Sequence, residues 1–133
     1  ITLYTVGGKK VIPNIRTYVS IDGGMCDNPR YILYQSAYDA IVANKADQPK
    51  DTKVTIAGKC CESGDLIGEN RSTAPTIRVK RAACVCATGA YNYSMSSNYN
   101  RLQKPAVVFV KDGTSRVVVK RETLEDLVRN DCE

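Results

Sequence analysis

Histidine and tryptophan are both absent from the 133 residues, and no apolar run approaches the roughly 18 residues needed to cross a bilayer. The opening Ile1-Thr2-Leu3-Tyr4 lacks the basic, apolar and small-residue order of a signal peptide. Nothing in the sequence addresses the chain to export or to a membrane, and a cytoplasmic location is expected. There is no Met at the start, and the chain opens directly on a strand-like pattern, so the expectation is a segment from inside a longer gene product. With 43% hydrophobic and 25% charged residues, no stretch is polar enough to argue for disorder, and no internal repeat is visible. The six cysteines form a CC and a CxC but no CxxC knuckle. In a chain without histidine, that spacing disfavours a zinc site built from Cys60, Cys61, Cys84 and Cys86, and no metal is expected. Adjacent Cys60 and Cys61 also make a poor disulfide framework, which leaves reduced thiols. Acidic residues are the minority, 14 against 19 Lys and Arg, for a formal charge of +5. The densest basic cluster, Arg78, Lys80 and Arg81, has no aromatic alternation, so a solvated turn is favoured over a nucleic-acid surface.

What is present reads as one domain over 1–133, mainly β. Strand-like runs rich in β-branched residues cover 1–6, 17–21, 53–57, 82–87, 107–111 and 116–120. Gly7-Gly8 and Asp112-Gly113 mark turns, and the second, between two Val-rich runs, predicts a hairpin over 107–120. Two short helices are expected. Tyr31, Tyr34, Ala37, Tyr38 and Ile41 recur at helical spacing, and Thr123-Leu124-Glu125-Asp126 opens a last helix with an N-cap. The polar stretches 44–51 and 70–76, holding Pro49 and Pro75, read as loops.

Three segments carry possible chemistry. Cys61-Glu62-Ser63-Gly64-Asp65 sets a thiol, a carboxylate and a hydroxyl side by side at a Gly turn after a strand. On its own, Glu-Ser-Gly-Asp is equally ordinary turn chemistry. The run from Thr88 through Gly89-Ala90-Tyr91-Asn92-Tyr93-Ser94-Met95 to Tyr99-Asn100 packs three tyrosines among small and amide residues. Its hydroxyls suit a phosphate, and a hydrogen-bonded surface loop accounts for the composition as well. After the Asp22-Gly23-Gly24-Met25 turn, Asn28-Pro29-Arg30 leads into Tyr31 and Tyr34. Arg30 offers two parallel donors matching a carboxylate, with Tyr34 four positions on, although an exposed arginine at a helix start needs no function.

In content and order these segments resemble the C-terminal domain of the diaminopimelate decarboxylases, which have the alanine racemase/ornithine decarboxylase-like fold. The likeness continues through Lys104-Pro105-Ala106 to Arg121-Glu122-Thr123-Leu124-Glu125-Asp126-Leu127 and covers nearly the whole chain. It implies a β-barrel or sandwich-like domain joined to an upstream (β/α)8 barrel. That barrel would bear the Schiff-base lysine for pyridoxal 5'-phosphate and a further substrate-binding arginine. The two domains would complete shared active sites across a head-to-tail homodimer, and this segment alone would be inactive.

The resemblance implies roles residue by residue. Cys61 would be the catalytic proton donor, reaching the neighbouring subunit's cofactor. Glu62 would accept the ammonium at the distal L-centre of meso-diaminopimelate, with Arg30 and Tyr34 on that centre's carboxylate and Ser63 at the pocket edge. Tyr91, counted with the substrate-binding residues, would also donate its hydroxyl to the cofactor phosphate. The products would be L-lysine and carbon dioxide, and the partners a small-molecule substrate, the upstream barrel and a second subunit, with neither nucleic acid nor membrane. At Lys80-Arg81 the family commonly has a Gly-Asp turn, so a rebuilt turn is expected there. Two other readings compete: a decarboxylase of another basic amino acid such as ornithine or arginine, and a non-catalytic interaction domain of the same fold. Glu62 after Cys61, with Arg30 and Tyr34, favours diaminopimelate over the former, and the presence of Cys61, Glu62 and Tyr91 argues against the latter.

Overall fold

The structure, a computed structural model, describes residues 1–73 and 82–132. Arg78, Lys80 and Arg81, with the turn expected at the latter two, lie outside the described residues, as does the loop reading for 74–76. The described chain is mainly β. A six-stranded sheet is built from β1 (Thr2–Ile12), β2 (Arg16–Ile21), β3 (Ala40–Val42), β4 (Thr52–Ala57), β5 (Leu66–Thr73) and β6 (Ala82–Val85). Its order is β3-β6-β1-β2-β4-β5, antiparallel except where β2 and β4 run parallel. The outer strands β3 and β5 approach one another, which makes the sheet nearly closed and barrel-like. The described residues also hold a separate hairpin, β7 (Val107–Lys111) and β8 (Thr114–Val119), three short α-helices, α1 (Arg30–Tyr34), α2 (Asn92–Met95) and α3 (Leu124–Val128), and two single-turn 3-10 helices. Among the described residues, no helix is long and apolar enough to cross a membrane.

Strand alternation makes the core. Tyr4 and Val6 of β1, Val19 and Ile21 of β2, Ala40 and Val42 of β3, Val54 and Ile56 of β4, and Ala83 and Val85 of β6 all point inward two residues apart, and Ile67 and Tyr38 join them. Each fully buried Val or Ile contributes about 1.5–3 kcal/mol.

Several expectations need correction. Gly7-Gly8 is no turn: β1 continues to Ile12, with a bulge where the pairing passes from Val6 opposite Ile21 to Gly8 opposite Ser20. The Ser20 hydroxyl lies 3.2 Å from where a Cβ of Gly7 would be, so the pair of glycines serves a close approach within a ladder. The helical spacing from Tyr31 to Ile41 breaks after one turn. Gln35 adopts left-handed backbone (φ 54°, ψ 31°) and closes α1 through its N–H to Tyr31, 2.8 Å, and Ala40 and Ile41 enter a strand instead. Residues 70–73, read as loop, belong to β5, where Asn70 takes φ 51° beside a register shift against β4. A third helix, α2, lies in the tyrosine-rich run. The expected hairpin is present, with Asp112 (φ 50°) and Gly113 (φ 74°) both left-handed as a two-residue I′ turn requires. The last helix carries a full capping box between Thr123 and Asp126.

Candidate functional site

The parallel pairing of β2 with β4 obliges the chain to cross over between them, and the crossover carries the arginine segment. After β2, the loop at 22–29 is pinned to the sheet by the Tyr4 hydroxyl, which donates to the buried Asp27 carboxylate. Asp27 also accepts the Gly24 N–H at 2.8 Å. Burial raises the Asp27 carboxyl above the ordinary range, although Tyr4, Gly24 and Cys26 donate to it. Burial first, then the Asp27 charge, raises the Tyr4 phenol as well.

Helix α1 follows. Tyr31 faces inward, with its hydroxyl 3.4 Å from Glu69 and its ring under the Arg71 guanidinium. Arg30 and Tyr34, one turn apart, share the opposite face, and the Arg30 guanidinium carbon lies 5.2 Å from the Tyr34 ring centroid. The second tyrosine under it comes from far along the chain: Tyr91 stacks at 4.8 Å, and the Met95 sulfur lies 3.9 Å from Nη1. Among the described residues, Arg30 has no carboxylate within ion-pair distance, and Tyr34 and Tyr91 are 61% and 64% exposed as residues. Tyr91 sits at φ 69°, ψ −36°, outside the usual regions for a bulky residue, and starts α2 from that strained position.

The second cluster is the turn between β4 and β5. Cys60 and Cys61 are adjacent but opposite in environment: Cys60 is 0% exposed, whereas Cys61 is exposed with φ 52°. Glu62 is also exposed and accepts from the Gly64 N–H (3.2 Å), the Tyr99 hydroxyl (3.2 Å) and the Ser63 hydroxyl (3.3 Å). These donors, Gly64 first, hold the Glu62 carboxyl below its ordinary range, and the same pair raises Tyr99. Asp65, 3% exposed, closes the turn from inside, its two oxygens accepting the Met25 and Cys60 N–H groups at 2.6 Å each.

Arg30, Tyr34 and Tyr91 are therefore brought together, and Cys61, Glu62 and Ser63 form a second group. The α1 side chain Ile32 packs over Gly64 and makes the clusters neighbours. Among the described residues, no hydrogen bond or ion pair joins Arg30, Tyr34 or Tyr91 to Cys61 or Glu62. Sequence reasoning missed Tyr99, which holds Glu62, and Asn100, whose amide donates to the Cys60 carbonyl from left-handed backbone. An Asn beside a Tyr in a run too polar for a core strand was the available signal. All six cysteines are free, and Cys26, Cys60 and Cys84 have thiol pKa values raised chiefly by burial.

Residues 1–89 match the family model described as pyridoxal-dependent decarboxylase, C-terminal sheet domain. A diaminopimelate decarboxylase of Synechocystis sp. is 52% identical over 132 residues, covering 99% of this chain and 28% of the relative. One from Bacillus subtilis is 52% identical over 130 residues, covering 98% and 29%. Among solved structures, diaminopimelate decarboxylase from M. jannaschii in co-complex with L-lysine superposes with a TM-score of 0.87 at 30% identity, over 98% of this chain and 29% of that one. The chain thus spans less than a third of the length of these relatives.

Proposed function

The chain belongs to the pyridoxal-dependent decarboxylases, as their C-terminal sheet domain, and on that premise we propose that it supplies the distal pocket and the proton donor of a diaminopimelate decarboxylase. The observation that carries this reading is Arg30: a guanidinium held between two exposed tyrosine rings with no acidic partner among the described residues. Such a group is a ready receptor for a substrate carboxylate, and its planar fork donates to one bidentately.

Arg30 and Tyr34 hold the carboxylate of the L-centre of meso-diaminopimelate, Glu62 accepts that centre's ammonium, and Ser63 borders the pocket. Glu62 suits the task because its hydrogen bonds favour the ionised form. The Cys61 sulfur holds a proton and delivers it to the D-centre carbon after carbon dioxide has left, acting as general acid and leaving L-lysine. Pyridoxal 5'-phosphate, when bound, supplies the electron sink for bond cleavage. Its phosphate fits the exposed Tyr91 hydroxyl, which has no hydrogen-bond partner among the described residues and lies beside the Arg30 charge. The site is shared between subunits, each chain offering Arg30 to one site and Cys61 to the other in a homodimer, a reading that the exposure of Cys61 and Glu62 at the surface of their turn supports. The rest of the longer polypeptide, a (β/α)8 barrel, would carry the cofactor lysine.

The test is carbon dioxide release from meso-diaminopimelate by the full-length polypeptide with added pyridoxal 5'-phosphate, comparing wild type with Cys61→Ala at equal cofactor occupancy. Turnover with a severe loss in the variant is expected. Equal turnover removes Cys61 as the essential donor, and preference for ornithine under matched conditions overturns the distal-pocket assignment.

A further inference from the structure

Cys61 is exposed and in left-handed backbone, in a turn where its own side chain is free of disulfide and makes no hydrogen bond among the described residues. What holds it in place is the carboxylate behind it. Asp65 accepts the N–H of Cys60, the residue before the thiol, and with its other oxygen the N–H of Met25, in the loop that leads to Arg30. Its backbone finishes the frame, accepting from the Gly58 N–H at 2.8 Å and donating to the Glu62 carbonyl at 3.0 Å. The Lys59 N–H bonds the Gly23 carbonyl at 2.9 Å, so the two loops are laced together around this one side chain.

Two further features mark the arrangement as more than filler. A Cβ on Gly24 or on Gly58 would overlap the Asp65 carboxylate, so both loops leave it room by omitting a side chain. Asp65 also has no Lys or Arg partner within ion-pair distance among the described residues. Burying a carboxylate this deeply is costly, and apolar packing would serve stability as well or better. Its oxygens are instead committed to backbone geometry, one to the Cys60 N–H next to the thiol-bearing residue and the other to the Met25 N–H of the facing loop.

We propose that Asp65 is a positioning residue that acts through Cys61, fixing where the thiol stands by gripping the Cys60 N–H from within and tying it to the Met25 loop. The proposal rests on the reading of Cys61 as proton donor. Asn at this position cannot replace the carboxylate, because its amide nitrogen would face one of the two N–H groups donor to donor.

The experiment uses the full-length, cofactor-loaded enzyme. Asp65→Asn is expected to lower kcat on the order of 10- to 100-fold, the penalty of misplacing a reacting group by about 1 Å, with KM for meso-diaminopimelate little changed. Combined with Cys61→Ala it is expected to add no further loss. Gly58→Ala keeps Asp65 in the chain but displaces its carboxylate, and should reproduce the single-variant effect; where D65N does not fold, G58A decides. Unchanged kcat with only a lower melting temperature overturns the proposal, as does a loss that multiplies with that of C61A. If wild type releases no carbon dioxide, it is the functional reading that fails. The iodoacetamide alkylation rate of Cys61, read by peptide mass spectrometry, still tests Asp65: a severalfold change in D65N and G58A sustains its positioning role, and equal rates refute it.

Discussion

Replacing Arg30 tests the proposed distal pocket most directly. The stacking of its guanidinium on Tyr34 and Tyr91, at 5.2 and 4.8 Å, exists before any substrate arrives. It cancels from a binding difference, and its effect is to hold the fork ready. On the proposed reading substrate would add a charge-assisted, two-pronged contact, and hydrogen bonds to charged groups contribute about 1.5–3 kcal/mol. Arg30→Gln forfeits the charge and most of the contact, about 3 kcal/mol, or roughly 150-fold in affinity. Arg30→Lys keeps a point charge and loses the fork, about 1.5 kcal/mol, or on the order of tenfold. The cleanest assay is inhibition of the full-length enzyme by two ligands, L-lysine, which retains the distal carboxylate, and 1,5-diaminopentane, which has none. R30Q should raise the inhibition constant of L-lysine by about two orders of magnitude and leave that of the diamine nearly unchanged. Equal shifts for both would mean general damage, and no shift for L-lysine would refute the carboxylate assignment.

Tyr99→Phe removes a donor from ionised Glu62 and should therefore raise the Glu62 pKa toward its ordinary value; the acid limb of the KM-against-pH profile should move to higher pH, while an unmoved limb would separate Glu62 from substrate binding. Cys60, buried and with its thiol pKa raised, should resist iodoacetamide at pH 8 while its exposed neighbour Cys61 reacts, as read by peptide mass spectrometry; equal labelling would contradict the opposed environments. Thr123→Ala breaks the capping box of α3 and should cost about 1 kcal/mol, seen as earlier loss of amide exchange protection in that helix with activity retained.

The elements legible in the sequence were those whose local chemistry agreed with their tertiary setting. Asp112-Gly113 between Val-rich runs and Thr123 ahead of Asp126 each specify a structure within a few residues, and the fold has both the turn and the cap. Where a long-range contact decided, the reading failed. The helical spacing from Tyr31 to Ile41 yielded to the pairing of Ala40–Val42 with β6, and Leu66–Thr73, polar and interrupted by Gly68, becomes a strand because β4 offers it an edge. Gly7-Gly8 looked like punctuation and is a bulge that lets Ser20 approach. In the site, the contact of Arg30 with Tyr34 follows from helical spacing alone. Its contact with Tyr91, and the grip of Tyr99 on Glu62, join segments tens of residues apart and leave no local pattern.

The strand order has a consequence in time. β6 lies between β3 and β1, although it is the last of the six to be made. Thr2 meets Val85 in that ladder, and a ribosome adding about 5–20 residues per second needs roughly 4–17 s to travel from one to the other. Through that interval one edge of β1 stays open, and β3, once made, waits without a ladder partner, each a template for the wrong neighbour. Substitutions in Ala82–Val85 should therefore show first in the yield of folded protein per chain synthesised, and only afterwards, if at all, in the turnover of the molecules that fold.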